Sequence, residues 1–225
     1  VVKLEREGAV YVLRMDAGEN RFSEENCADV NRALDAVEGV EPPVALVTTG
    51  VGKMYSNGLD LDEMMRAGAV AADGHLRRVL ELLARVLTFP VVTVAAINGH
   101  AFGAGALFAA AQDFRVMRAD RGYFCMPEVD LRVPLHPFMI ALLKARLPGD
   151  AVHQAIVTGK RFGGHEAVAC GIVEQAVAEE ELLPTAIRIA EPLAAKAHPV
   201  MRRLKRDLYA PVIEALATPL SAVAG

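Results

Sequence analysis

Two stretches of the chain, VALVTTG at residues 44–50 and VVTVAAI at residues 91–97, are nearly unbroken apolar runs of strand length. A strand with apolar side chains on both faces belongs inside a sheet that is covered on both sides, as in parallel α/β architectures. AVYVLRM at residues 9–15 has strand composition too and leads into a polar turn, DAGENRFS. The pattern then changes to a helical one. SEEN, beginning at Ser23, supplies a capping serine and early acidic residues ahead of Val30, Leu34 and Val37. That predicts a helix from near Ser23 to Gly39, before Pro42 and Pro43. HLRRVLELLARVLTF at residues 75–89 puts Leu76, Val79, Leu80, Leu83 and Leu87 on one face with most arginines turned away, which is an amphipathic helix ending at Pro90.

Between these elements, KMYSNGLDLDEMMRAG reads as a loop at Asn57 and Gly58 followed by a helix. FRVMRA, GYFCM and GIVEQAV are further strand candidates; PFMIALLKARL, DAVHQAIVTG, HEAVAC and the tail from about Glu179 read as helical. Alternating strands and helices give an α/β class. The two short strands around Gly122 favour repeated ββα turns over a simple one-strand, one-helix alternation. No linker or low-complexity segment divides the 225 residues, so one domain is expected, with the C-terminal residues packing as a helical appendage.

Composition narrows the possible partners. With 53% apolar residues the chain can bury a sizeable core, and Lys plus Arg at 24 against Asp plus Glu at 28 leaves a net charge of -4. That provides no broad basic field for nucleic acid, although RRLKRD at residues 202–207 is locally positive. Cys27, Cys125 and Cys170 form no CxxC pair, and His75, His153, His165 and His198 form no HxxxH pair. Ordinary thiols and no metal are the reading. The first residues carry no secretory or transit pattern and no run is long enough to span a bilayer. A soluble, cytoplasmic protein without a membrane partner is therefore expected.

Motifs, taken in order and spacing, identify a family. YSNGLDL at residues 55–61, AAINGHAFGAGALFAAAQDFRVM at 95–117, MPEVDL at 126–131 and IVTGKRFGGHEAVACGIVEQAV at 156–177 resemble the crotonase, or enoyl-CoA hydratase/isomerase, superfamily over essentially the whole chain. The nearest resemblance is to its plant and actinobacterial Δ3,Δ2-enoyl-CoA isomerases. It implies a crotonase-like spiral of ββα units over residues 1–190 and a C-terminal helical trimerisation region over 191–225. It also implies a homotrimer or dimer of trimers, and an acyl-CoA substrate whose coenzyme A enters as the thioester carrier, with no separate cofactor. By the same resemblance the backbone N–H groups of Leu59 and Ala104 form an oxyanion hole. Hydratases of the family use two glutamates; the positions that match them are Leu107 and Glu128. The first is lost and the second kept, which implies double-bond isomerisation by one base, with hydration, another acyl-CoA reaction or an inactive scaffold as alternatives.

Elementary chemistry agrees with that division. Removing a proton next to a thioester builds charge on the carbonyl oxygen, so the site needs a positioned base and N–H donors. Gly99, Gly103 and Gly105 allow close backbone approach, so their stretch contributes amides rather than a reactive side chain. Glu128, after Pro127 in the apolar run YFCMPEVDL, is the candidate base, and apolar surroundings raise a carboxylate's pKa; a solvated loop glutamate is the plain alternative. Substrate contacts are assigned to Arg21, Ser56, Asn57, Gly58, Asp60, Met64, Gly103, His136 and Phe138. Met65 and Met139 are further acyl-channel candidates. Asp60 and Asp62 also fit a helix start, His100 a structural hydrogen bond, and Asp113 and Asp130 turns or subunit contacts. For the phosphates of coenzyme A, Arg21 and the Arg202, Arg203, Lys205, Arg206 cluster are candidates, with Lys53 a weaker one; a solvated helix face explains the cluster equally well.

Overall fold

A computed structural model describes residues 1–220. The apolar runs become the inner strands of a six-stranded sheet. β1 (Val2–Glu7) and β2 (Val10–Met15) form an antiparallel hairpin, and β3 (Ala45–Gly50), β5 (Val92–Ile97), β7 (Phe114–Arg118) and β9 (Gln175–Val177) continue it in parallel, in the order β1-β2-β3-β5-β7-β9. A second, three-stranded parallel sheet is built from β4 (Met54–Ser56), β6 (His100–Phe102) and β8 (Phe124–Cys125). The three middle turns of the chain, β3/β4, β5/β6 and β7/β8, each give one strand to the large sheet and the next to the small one before passing into helix. That is the expected crotonase-like spiral of ββα units.

Both faces of the large sheet are covered, which is why its strands need no polar side. Val10, Val12, Ala45, Val47, Val94, Ala96 and Val116 meet Leu182, Ala186 and Ala190 of α9 (Glu179–Ala190) and Ala194 of the following 3-10 turn. The alternate residues, among them Leu13, Met15, Leu46, Ala95 and Ile97, enter the main core. There they meet α1 (Glu24–Glu38), α3 (Ala69–Leu87), the all-buried α4 (Ala104–Ala110) and α6 (Pro137–Arg146). Ser23 caps α1 as expected, its side chain accepting from Asn26 N–H.

Short α2 (Leu61–Ala67) leads into α3, and α5 (Glu128–Leu131) follows β8. α7 (Gly149–Thr158) and α8 (Gly164–Ala169) precede β9; α10 (Pro199–Leu208) and α11 (Ala210–Ala215) close the described chain, with α11 packed on α6. Of the expected C-terminal region, residues 221–225 lie outside the described residues.

Several expectations are corrected. The charged start of the chain forms β1, whose Val2 and Leu4 pack on the core while Lys3, Glu5 and Glu7 face outward; alternation of period two was hidden by charge. The long amphipathic helix begins at Ala69, ahead of His75. In the small sheet β8 falls within the expected strand GYFCM, whereas β4 and β6 were not expected as strands, because three residues show no periodicity.

What lets the small sheet close is glycine. A Cβ on Gly99 would stand 2.1 Å from the Lys53 carbonyl oxygen, and one on Gly122, at φ +91, would stand 2.4 Å from the Gly99 carbonyl. Three chain segments therefore cross at backbone contact. Gly122→Ala should destabilise the protein by about 2 kcal/mol or more, from the left-handed backbone and the forced separation; urea denaturation with an unchanged midpoint would contradict this.

Candidate active site

The site is assembled from segments far apart in sequence. Residues 19–22 form a strap behind the loop of residues 56–59. The Asn57 amide donates to the Glu19 carbonyl (2.9 Å), the Phe22 amide to the Gly58 carbonyl (2.7 Å), and Ser56 Oγ to the Asn20 carbonyl (2.7 Å) while accepting from Gly58 N–H (3.2 Å). Phe22 and Leu59 are bridged as parallel strands. His75 of α3 reaches this strap from below, its Nε2 lying 2.7 Å from the Phe22 carbonyl.

On the other side stands the turn into α4. Gly58 has φ +84, and a Cβ there would meet the Phe102 carbonyl oxygen at 2.7 Å and the Ala104 nitrogen at 3.1 Å; a Cβ on Gly105 would meet the Ser56 carbonyl oxygen at 2.3 Å. The two glycines thus hold two backbone segments side by side. The Gly103 amide is spent on the Cys125 carbonyl (3.0 Å) and the Leu107 amide on the Gly103 carbonyl (3.0 Å). Among the described residues, neither the Leu59 nor the Ala104 amide has an acceptor. An unpaired amide pair beside a cavity is a ready pair of donors for a carbonyl oxygen.

The cavity has a volume of about 440 Å³ and is lined by Arg21, Asn57, Gly58, Leu59, Leu61, Asp62, Met65, Phe102, Gly103, Ala104, Cys125, Pro127, Glu128, Leu131, Val133 and Arg161. Glu128 opens α5. A Cβ at Gly103 would lie 3.1 Å from Glu128 Oε1, and Glu128 Oε2 is buried with no hydrogen-bond partner. Burial raises its pKa above the ordinary glutamate range, with its own backbone N–H opposing. The arrangement pairs one poised carboxylate with two unused amides across a space that suits a small ligand.

Of the residues expected on substrate, Arg21, Asn57, Gly58, Leu59, Gly103, Ala104 and Glu128 line this cavity. Ser56 is fully buried behind the loop, and Asp60 caps α2 by accepting from Glu63 N–H (3.0 Å). Met64 gives way to Met65, its neighbour on α2, as the lining methionine. His136 and Phe138 are corrected to core positions. The His136 Nδ1 accepts from the Phe138 amide (3.2 Å) as the cap of α6, its Nε2 faces the Thr218 carbonyl (3.0 Å), and the Phe138 ring is wholly buried. His100 is half-buried between the rings of Phe102 and Tyr123, and Leu107 is wholly buried in the core. Arg161 and Cys125 were not singled out. An antiparallel bridge between Phe124 and Phe162 delivers them together, and no local pattern announces such a pairing.

Arg21 is held by Glu19 (2.8 Å) and Asp62 (2.7 Å). In the basic cluster Arg202 pairs with Glu38, Arg203 with Asp207, and Lys205 with Asp113. Lys53 serves through its carbonyl, which accepts from His100 N–H.

Comparison with known proteins supplies the context. The enoyl-CoA hydratase/isomerase family matches residues 5–224. Among relatives, enoyl-CoA delta isomerase 2, peroxisomal, of Arabidopsis thaliana is 34% identical over 218 residues, covering 92% of this chain and 91% of its own. Human mitochondrial delta3-delta2-enoyl-CoA isomerase superposes with a TM-score of 0.88 at 27% identity, covering 98% of this chain and 88% of that one. An enoyl-CoA hydratase of Mycobacterium ulcerans does so with a TM-score of 0.88 at 27% identity, covering 99% and 97%. These findings overturn the cytoplasmic expectation, because the plant relative is peroxisomal by name. Hydropathy at the start of the chain separates a spanning from a non-spanning chain, not the cytosol from an organelle.

The raised pKa of Glu128 has a consequence independent of any reaction. A folded-state pKa above the unfolded one means that the native protein binds the extra proton, so stability falls as pH rises through that window. Glu128→Gln should therefore be more stable than the parent at pH 8, with the difference vanishing below about pH 4, the ordinary glutamate range. Urea midpoints for both proteins across that interval test it; a pH-independent difference would contradict it.

Proposed function

The chain belongs to the enoyl-CoA hydratase/isomerase (crotonase) family, and from that premise we propose that it is a Δ3,Δ2-enoyl-CoA isomerase with Glu128 as its single acid and base. The family membership carries an acyl-CoA reaction; the choice of isomerisation rests on the carboxylates. Among the described residues, Glu128 and Asp62 are the only carboxylates lining the cavity, and Asp62 is held by Arg21. Where the family's hydratases carry a second glutamate, Leu107 lies wholly in the core.

In this mechanism the thioester oxygen of a 3-enoyl-CoA accepts from the Leu59 and Ala104 amides. Ionised Glu128 takes a proton from C2, and the electron pair moves onto the thioester as a dienolate, whose oxygen charge the two amides stabilise. Glu128, now protonated, returns the same proton to C4, giving the trans-2-enoyl thioester. Proton and charge balance without water or cofactor. A carboxylate with raised pKa suits both halves, since it is basic enough to accept and acidic enough to return.

Hydration is the second reading, favoured by the hydratase among the similar structures; it requires a water held opposite Glu128. An inactive scaffold would fill its acyl pocket with side chains, and the open 440 Å³ counts against that. Three subunits are proposed on the family's pattern, with the C-terminal helices as contact; α10 leaves Val200, Leu204 and Leu208 exposed in one row. Light scattering giving a single-chain mass would refute the trimer.

The deciding experiment offers 3-hexenoyl-CoA and follows formation of the conjugated thioester, then offers 2-hexenoyl-CoA and follows loss of conjugation. Isomerisation with negligible hydration is expected. Glu128→Gln should lower kcat by about a thousandfold, and kcat/KM of the parent should rise with pH through an inflection above the ordinary glutamate value. Rapid hydration would establish the second reading instead.

A further inference from the structure

An acyl-CoA thioester carries anionic groups, and most of the cations first expected to meet them are occupied. Arg21 is neutralised by Glu19 and Asp62, Arg202 by Glu38, Arg203 by Asp207, and Lys205 is drawn into the protein by Asp113 at 2.7 Å and the Val91 carbonyl at 3.1 Å. Arg161 is placed differently. The Phe124–Phe162 bridge, with both N–H···O distances at 2.9 Å, fixes its backbone against β8. Its guanidinium carbon lies 5.8 Å from the centroid of the Phe102 ring, and its side chain lines the cavity with Cys125 and Phe102. Among the described residues it forms no ion pair and donates to no oxygen.

The cavity's own carboxylates do not satisfy it. Asp62 belongs to Arg21, and Glu128 is governed by burial rather than by any cation. Arg121 also forms no ion pair among the described residues, and it and Arg161 both act on His100, where burial and then these two cations lower the pKa. The Arg161 side chain hydrogen-bonds the Cys125 thiol, a weak and uncharged partner that leaves its charge unpaired, so the rim beside Phe102 carries positive charge without a carboxylate, whereas the opposite rim at Arg21 is balanced. A guanidinium held over an aromatic ring keeps its planar edge available for carboxylate or phosphate oxygens.

We propose that Arg161 is the anion-binding residue of this cavity, pairing its guanidinium with a carboxylate or phosphate oxygen of the bound thioester. This rests on the acyl-CoA reading of the site. The anion has two sources: the phosphates of coenzyme A, or a carboxylate at the far end of the acyl chain. The shared chemistry makes Arg161 a determinant of affinity and substrate choice, not of the proton transfer.

The test is calorimetric titration of the parent protein, Arg161→Gln and Arg161→Lys with three saturated thioesters that can be neither isomerised nor hydrated. Hexanoyl-CoA carries phosphates, hexanoyl-pantetheine carries no charge, and adipoyl-pantetheine carries a terminal carboxylate. Arg161→Gln is expected to weaken at least one charged ligand by about tenfold and to leave hexanoyl-pantetheine within twofold, with Arg161→Lys intermediate. Loss confined to hexanoyl-CoA identifies the phosphates, and loss confined to adipoyl-pantetheine the acyl carboxylate. Unchanged affinity for all three, or an equal loss for the neutral one, overturns the proposal. A parent protein that binds no thioester overturns the acyl-CoA reading and this proposal with it, whereas binding without isomerase activity leaves Arg161 to be judged on the variants alone.

Discussion

The distance between two backbone segments governs the site. The loop of residues 56–59 and the turn of residues 102–105 lie so close that a Cβ on Gly105 would stand 2.3 Å from the Ser56 carbonyl oxygen and one on Gly58 2.7 Å from that of Phe102. Any side chain at either place drives the segments apart, and with them the Leu59 and Ala104 amides. The strap of residues 19–22 holds one segment from behind, and the Gly103 amide ties the other to Cys125 of β8. The amide pair is thus braced by main-chain bonds belonging to the small sheet and the strap. Such bonds survive side-chain substitution, so the positions of the donors can persist while the cavity lining changes.

The charges around the cavity follow a second constraint. A carboxylate that must take and return a proton needs a pKa nearer neutrality than that of a solvated glutamate, and a cation beside it would pull the value down. Glu128 is accordingly left among Leu131, Val133, Pro127 and Phe102 with one oxygen unpartnered. An unpaired buried oxygen costs stability, and in the proposed mechanism that cost maintains the basicity of the carboxylate. Arg21 would threaten that arrangement if its charge were unbalanced; Glu19 and Asp62 balance it. Among the described residues Arg161 of the same lining has no such partner, yet burial rather than any cation governs the Glu128 carboxyl; the ion pairs balance the Arg21 side of the cavity.

The large sheet and its covering helices were legible because long apolar runs and helical spacing report burial directly. That Glu128, Leu59, Ala104 and Gly58 share one cavity was legible through motif order, since each sits in a short, rigid local segment. His136 and Phe138 were misplaced for a physical reason. A residue next to a proline reads the same whether it lines a cavity or fills a core, and only the direction of α6 separates the two. β1 was masked by its charges, and β4 and β6 of the small sheet by their brevity. Arg161 depends on a two-residue bridge across 38 positions, counted from Phe124 to Phe162, and no nearby pattern encodes such a contact.

Placing the oxygen-binding groups in the backbone separates two properties that side-chain sites couple. Stabilising the enolate needs only the amides, whereas the fate of the proton depends on which carboxylates face the cavity. At Leu107 the chain puts an aliphatic side chain in the core, where full burial contributes about 2 kcal/mol to stability. A carboxylate buried there without partners would instead bear a desolvation cost of several kcal/mol. In the proposed mechanism, core packing at Leu107 and proton transfer at Glu128 thereby fall to different residues on the two sides of one glycine-lined turn. A fold organised in this way can change the reaction it performs by exchanging a side chain behind the amide pair while the amides stay in place.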